Sequence, residues 1–283
     1  MKPMLSAALL PALLAACGTG AAVTADPATT PATTARADSA AALERVIAGN
    51  WRTPEFVARD SARHPKETLA FFGIRPDMTV VEIAPGGGWY MELLAPYLRD
   101  QGRYVGAIVD PATVAPERRE AAERARRALA ERQPATVFDR ATIHGYDPKA
   151  PRFGPDASAD AVLTFRNVHN WLSAGNAQAM FEGFHRVLKD GGVLGVVEHR
   201  AGRELPADDR SGYVAEQTVI ALAEAAGFRL DARSDINANP ADTRDHPNGV
   251  WTLPPTNRHE DADAAKYRAI GESDRMTLRF IKD

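Results

Sequence analysis

The sequence predicts an α/β fold with a mostly parallel sheet covered by helices on both faces. Three observations carry this expectation. From Ser39 to Asp283, short apolar runs alternate with segments of helical periodicity. One run, Val80-Val81-Glu82-Ile83, breaks at Ala84-Pro85-Gly86-Gly87-Gly88 and resumes as the helix-like Met91-Glu92-Leu93-Leu94-Ala95. Another, Ala159 to Phe165, is a short apolar run of the kind found in strands buried on both faces.

The elements follow in order. Ser39 is a helix cap for a segment through Ala48, with Leu43, Val46 and Ile47 on one side. Pro54 to Phe72 is helical and divided by Pro65. The strand ending at Ile83 and the helix from Met91 come next, then a strand over Gly102–Asp110. Glu117 to Arg132 is an alanine-rich helix whose Arg and Glu residues form a solvated face. Ala141 to Pro148 is a weaker strand, followed by the buried strand Ala159–Phe165. Ala177, Met180, Phe181, Phe184, Val187 and Leu188 recur at helical spacing, and Gly191-Gly192 is expected to end that helix. Val193–Glu198 is a strand, Ser211–Ala226 a helix, and Phe228–Asp235 and Met276–Lys282 are the last strands, around a loop-rich Asn237–Ala264.

At 283 residues and a net charge of −3, the chain suits one fairly large domain or two small ones. Its slight acidity points away from nucleic acid, since a phosphate-backbone binder needs a basic face. Met1-Lys2-Pro3 precedes a thirteen-residue apolar run, Met4 to Ala16, too short to span a membrane but suited to a secretion signal. The run ends Leu14-Ala15-Ala16-Cys17, and Cys17 is the only cysteine, so neither a disulfide nor a second thiol is available. This looks like a bacterial lipoprotein cleavage box, with residues 1–16 the signal peptide and Cys17 the lipidated, membrane-holding first residue. Residues 17–38, mostly Ala, Thr and Pro, are expected to be an extended tether, and 39–283 the folded domain.

The glycine loop discriminates among ligands. A P-loop requires a Gly-Lys-Ser/Thr ending, and this loop has no lysine. A dinucleotide fingerprint starting at Gly86 and Gly88 would place its third glycine at position 91, which is Met91. What remains is a strand-closing acid followed by small residues at every second position: Glu82, Ala84, Gly86, Gly88. This resembles the first motif of class I S-adenosylmethionine (SAM) dependent methyltransferases, with Ala84 where that family usually has glycine. Ala58-Arg59-Asp60, Arg63-His64-Pro65 and Phe72-Gly73-Ile74-Arg75-Pro76, leading into the loop and Trp89-Tyr90, further resemble a group of predicted, exported bacterial methyltransferases.

The resemblance implies a Rossmann-like, seven-stranded sheet over about 39–283 with an antiparallel last strand. It also implies SAM as cofactor, held by Glu82, Ala84, Pro85, Gly86, Gly87, Gly88 and Trp89, and a small-molecule or envelope acceptor. Asp110, closing the next strand, is the candidate for the ribose diol, and Asp147 sits where the family often contacts the adenine amino group. Arg59, Asp60 and Arg63 either face the cofactor from lid helices or form a surface ion-pair cluster. Arg166-Asn167-Val168-His169-Asn170-Trp171 ends a strand at the same crevice. There Arg166 and Asn167 are cofactor-binding candidates and His169 the foremost candidate base. Tyr213, Glu198 and His199 are further candidates, and Trp89, Tyr90 or Trp171 could face the sulfonium. Asp242, Asp245 and His246 lack a regular ligand spacing, so no metal is expected. Two rivals stay open: an envelope protein that keeps the fold to bind another ligand or partner, and an enzyme using the crevice for other chemistry.

Overall fold

The computed structural model describes residues 31–206 and 208–283, with side chains from residue 38 onward. The expected signal peptide, Cys17 and most of the expected tether lie outside the described residues. Helix α1 spans Pro31–Ile47, starting eight residues before Ser39, so the helix takes in the end of the segment expected to be extended. Proline at a first helical turn and alanine after it suit a helix.

Pro54–Phe72 is broken twice, giving α2 (Pro54–Val57), α3 (Asp60–Arg63) and α4 (Pro65–Phe71). The break before Pro65 falls on His64, which is left-handed at φ +42°. Strand β1 (Thr79–Ile83) leads through the glycine loop into α5 (Met91–Leu98). Then come β2 (Arg103–Val109), α6 (Pro116–Ala130), a short α7 (Ala135–Phe138), β3 (Thr142–Tyr146) and β4 (Ala159–Phe165). The polar segment after β4 is itself helical, α8 (Val168–Ala174), and precedes α9 (Ala177–Val187). Strand β5 (Leu188–His199) begins earlier than expected. Gly191-Gly192 lies inside its irregular start, where Leu188 pairs with Ala159 before the register shifts, rather than ending α9. Helix α10 (Glu216–Ala225) begins at Glu216, because Ser211–Val214 is drawn off by Asp209 and by a bridge between Val214 and Arg200. The last elements are β6 (Phe228–Ser234), α11 (Ala264–Ile270) and β7 (Arg275–Lys282).

The strands form one seven-stranded sheet in the order β3-β2-β1-β4-β5-β7-β6. All neighbours are parallel except β7, which runs antiparallel to both β5 and β6. Alternate residues of β1 face opposite layers: Val81 and Ile83 join the core with α8, α9 and α10, whereas Val80 joins the core with α1, α4 and α5. Glu82 is in phase with Val80 and so points toward the α5 layer.

The N-terminal helices are fastened to α5 by one carboxylate. Glu92, 1% exposed, accepts from the Thr53 N–H at 2.9 Å and the Thr53 hydroxyl at 2.6 Å, and pairs with Arg132. Its backbone carbonyl accepts from the Trp51 indole. Glu92→Ala removes the shared acceptor of the half-buried Arg132 and Thr53 donors, Arg132 keeping the Gly87 carbonyl, and is expected to lower stability by about 1–3 kcal/mol. Urea denaturation followed by circular dichroism checks this.

Candidate functional site

Strand order reverses between β1 and β4, so the loops leaving their carboxyl ends diverge and open a crevice. The β1 loop forms its floor. Ala84, Gly86 and Gly88 are all left-handed, at φ +50°, +58° and +87°, which explains small residues at every second position. Ala84 holds this conformation without glycine's freedom, at roughly 1–2 kcal/mol of strain, while its N–H is pinned to the Ala107 carbonyl at 2.8 Å.

A cavity of about 180 Å³ lies against this loop. From the sequence candidates it gathers Arg59, Arg63, Glu82, Ala84, Pro85, Gly86, Gly87, Trp89, Tyr90, Arg166 and Asn167. Phe56 and Phe165 complete it. Gly88 does not line it: a side chain there would meet Arg132 and Leu129, away from the cavity. Its glycine serves the turn, in which its N–H reaches the Pro85 carbonyl at 2.9 Å. Gly86 is the opposite case, with nothing within 4 Å of where a Cβ would stand.

Charge dominates the cavity. Glu82, 2% exposed, accepts from the Tyr104 hydroxyl at 2.7 Å, and burial pushes its carboxyl from 4.5 up to about 7. Arg63 lies over the Trp89 ring, 4.7 Å from its centroid, and burial followed by repulsion from Arg166 pushes it down to about 9. Arg166 is left-handed at φ +63°, and burial followed by Arg275 pushes it down to about 10. Glu272, in the loop before β7, pairs with Arg59 at 2.6 Å, Arg275 at 3.1 Å and Arg63 at 3.7 Å. Burial pushes Glu272 up, but Arg275 and Arg59 outweigh it and hold the carboxyl below its usual range. This loop thereby latches α2 and α3 over the cavity. The Trp89 indole, donating to the Phe56 carbonyl at 2.8 Å, fastens them from the other side. Arg59 and Arg63 therefore face the cavity, while Asp60 pairs with Arg52 and belongs to the helix packing.

The aromatic candidates divide. Tyr90 stacks on Phe165 with centroids 3.4 Å apart, and burial pushes its phenol up to about 12. Trp89 already carries Arg63 and Arg52 over its ring. Trp171 points into the core against Phe184, so it offers no face to a sulfonium. Asn167 spends its amide N–H donors on the Ile83 carbonyl and the Thr164 hydroxyl, both at 3.1 Å, tying the ends of β1 and β4 together.

Asp110 ends β2, one strand from the loop, and caps a 3₁₀ turn by accepting from the Ala112 N–H at 2.9 Å. Asp147 follows β3 and accepts from the Lys149 N–H at 2.9 Å. Both lie at the carboxyl edge beyond the cavity lining.

The two candidate bases also lie outside the cavity lining. His169, on α8, holds Glu198 through Nδ1 at 3.0 Å and stands edge-on to Trp251. Tyr213 donates its hydroxyl to Asp242 at 2.9 Å, and burial together with that carboxylate raises its pKa, so it is a structural donor and no base. Glu198 accepts from the Val168 N–H at 2.6 Å and the His199 N–H at 2.8 Å. His199 binds the Ser273 hydroxyl through Nδ1, and burial and Arg166 hold it well below its ordinary pKa. The ligand-type atoms of His169, Glu198 and His199 come within 4.8 Å of one another, but Glu198 and one nitrogen of each ring are engaged in this clamp. Asp242 and His246 likewise bind each other at 2.8 Å. Sequence reasoning missed Phe56, Glu92, Glu272 and Arg275. Glu272 and Arg275 lie more than 180 residues from the loop and carry no motif.

Because its folded-state pKa is raised, Glu82 binds a proton more tightly in the folded than in the unfolded chain. Its contribution to stability is full below 4.5 and lost as pH rises to about 7. Glu82→Gln, which cannot titrate, is expected to remove about 3 kcal/mol of this pH dependence, as measured by urea midpoints at acidic and neutral pH.

No protein-family model and no curated protein matches the chain. Solved structures do. A SAM dependent methyltransferase from Aquifex aeolicus superposes with a TM-score of 0.54 at 14% identity, covering 86% of this chain and 98% of that one. The [4+2]-cyclase SpnF superposes with a TM-score of 0.54 at 18% identity, covering 90% of this chain and 98% of that one. With its seven strands in the order and directions given above, the chain has the class I methyltransferase fold.

Proposed function

We propose that the chain is a SAM-dependent methyltransferase, of the exported bacterial group its N-terminal motifs resemble. One observation carries the reading: the β1 loop places two left-handed small residues, Ala84 and Gly86, against a cavity that also contains the strand-closing acid Glu82. The residues fit the cofactor. Arg63 has buried Nε and Nη2 donors without a hydrogen-bond partner, suited to a carboxylate. Gly86 leaves open space on the ligand side. Sheet order sets Asp147, Asp110 and the loop side by side along one edge, suited to adenine, ribose and amino-acid parts in turn. At about 180 Å³ the closed cavity is smaller than the roughly 300 Å³ and upward of typical ligand pockets. The cavity then takes only part of the cofactor, the rest extending along the carboxyl edge toward Asp110 and Asp147.

SAM supplies a methyl group already activated by its cationic sulfur, so the protein's task is alignment and, where the acceptor needs it, proton removal. His169 keeps the base role in this reading: Glu198 holds Nδ1 and leaves Nε2 as the nitrogen that takes the proton. A second reading, binding of another ligand or different chemistry, is favoured by the absence of His169 from the cavity lining and by a cyclase sharing the fold. Among the described residues no helix is long and apolar enough to cross a membrane. We place the domain in the cell envelope, held by lipid on Cys17, because the apolar run ends in Leu-Ala-Ala-Cys.

S-adenosylhomocysteine, the demethylated product, is expected to bind the purified chain in titration calorimetry. Gly86→Val, which puts a side chain into the open space, should abolish that binding with the α/β circular dichroism spectrum retained. Asp110→Ala should weaken it by about 1.5–3 kcal/mol. Absence of binding at millimolar concentration would hand the lead to the second reading. For the anchor, Cys17→Ser should shift the protein from the membrane to the soluble fraction or leave uncleaved precursor. Mass spectrometry showing an unmodified Met1 start on wild type would refute the lipid.

A further inference from the structure

The cavity is more cationic than the proposed cofactor can balance. Arg59, Arg63 and Arg166 line it, and Arg275 is near enough to Arg166 to depress its basicity. Against these four guanidinium groups stand three carboxylates, Glu82, Glu272 and, more distant and held by His169, Glu198. Glu82 is engaged by Tyr104, and Glu272 is shared among Arg59, Arg63 and Arg275. Donors are left over. Arg63 Nε and Nη2 and Arg59 Nη2 are buried without a hydrogen-bond partner. The Arg166 guanidinium makes no ion pair or hydrogen bond with any described residue.

SAM carries one carboxylate, one ammonium and one sulfonium, a net positive charge. Its carboxylate answers a single guanidinium, while its cations add to the charge already present. Arg63 lies over Trp89, at the loop that takes the amino-acid part, and is the natural partner of that carboxylate. Arg166 then has only the more distant Glu272 and Glu198 as counter-charges and no carboxylate at ion-pair distance, which is costly in a partly desolvated site. The Arg166 N–H is held on the Val197 carbonyl at 2.7 Å, and its left-handed backbone is a conformation side chains seldom adopt, so its placement at the end of β4 is firmly imposed. Phe56, Tyr90 and Phe165 give the same cavity apolar walls. A guanidinium fork matches carboxylate and phosphate oxygens alike.

We propose that the methyl acceptor is an organic oxyanion, a carboxylate or phosphate on an apolar body, with its charged head held by Arg166. This rests on the SAM reading of the same cavity, and the test separates the two. The full chain is titrated with S-adenosylhomocysteine, then, at saturation, with benzoate, phenyl phosphate and benzyl alcohol. S-adenosylhomocysteine should bind, and at least one anion should bind tenfold or more tighter than benzyl alcohol, the tighter anion naming the head group. Arg166→Gln should lower anion affinity at least tenfold with S-adenosylhomocysteine affinity within twofold of wild type, and Arg166→Lys should restore part of the loss. If S-adenosylhomocysteine binds but the three probes bind alike, the oxyanion proposal is overturned and the cofactor reading stands. If Arg166→Gln loses S-adenosylhomocysteine as well, Arg166 serves the cofactor and the proposal is again overturned. If wild type binds no S-adenosylhomocysteine at millimolar concentration, the cofactor reading fails and takes the proposal with it. The wild-type probe comparison decides even if Arg166→Gln does not fold.

Discussion

The reversal of strand order between β1 and β4 constrains everything else at this site. A parallel strand that is followed by a helix on one face, beside another followed by a helix on the opposite face, leaves a gap where neither connection covers the carboxyl edge. Strand β1 delivers Glu82 and the loop to that gap, and β4 delivers Arg166 and Asn167. Asn167 then ties the two strand ends together through the Ile83 carbonyl and the Thr164 hydroxyl, which keeps the gap at a fixed width. The left-handed backbone at both mouths, Ala84 on one side and Arg166 on the other, is the local expression of this geometry. Each strand is left through a sharp turn whose first left-handed residue, Ala84 or Arg166, is not a glycine.

Two buried carboxylates treat the covering helices differently. Glu92 is matched closely to its donors, with two oxygens receiving Thr53 and Arg132, so it reads as a permanent fastening of the chain just before α2. Glu272 is held more loosely: three arginines lie at ion-pair distance, but only Arg59 makes a hydrogen bond and Oε2 has no hydrogen-bond partner. Excess positive charge at a contact weakens it as a clasp, because an arriving anion can compete for the same donors. The chain before α2 is thus fastened by matched hydrogen bonds, whereas the contact of α3 with the loop before β7 rests mainly on ion pairing.

The sheet was legible because its information is local. Apolar runs bounded by Gly and Pro placed all seven strands, and β1, β4 and the loop between β1 and α5 fell where the pattern put them. What escaped were elements with competing local signals. Helix α8 was hidden because the polar cluster Arg166–Trp171 reads as a loop at a strand end, yet it winds so that Val168 and Trp171 enter the core while His169 turns to Glu198. Gly191-Gly192 has the composition of a helix stop but sits in a strand that starts early on the edge of Ala159. For the site, the loop residues were readable from spacing, whereas Gly88 was not separable from Gly86. Both are left-handed glycines, and only the packing of Leu129 and Arg132 shows that one faces the cavity and the other faces α6 and the residues just beyond it.

The bases show why chemistry is harder to read than fold. Tyr213 and His169 have the right functional groups, and both are near carboxylates, but a hydrogen bond acts in opposite directions in the two cases. Asp242 receives the Tyr213 proton and stabilises the neutral phenol, which removes it from acid–base work. Glu198 orients the His169 ring through Nδ1 and leaves the other nitrogen outside this contact, the relation that the proposed base role requires. An acceptor that is already an anion would ask less of that imidazole, since an ionised oxygen has no proton to lose before it attacks. Under the proposed function, a cavity rich in guanidinium groups and an imidazole outside its lining are therefore mutually consistent features: both suit an acceptor that arrives charged.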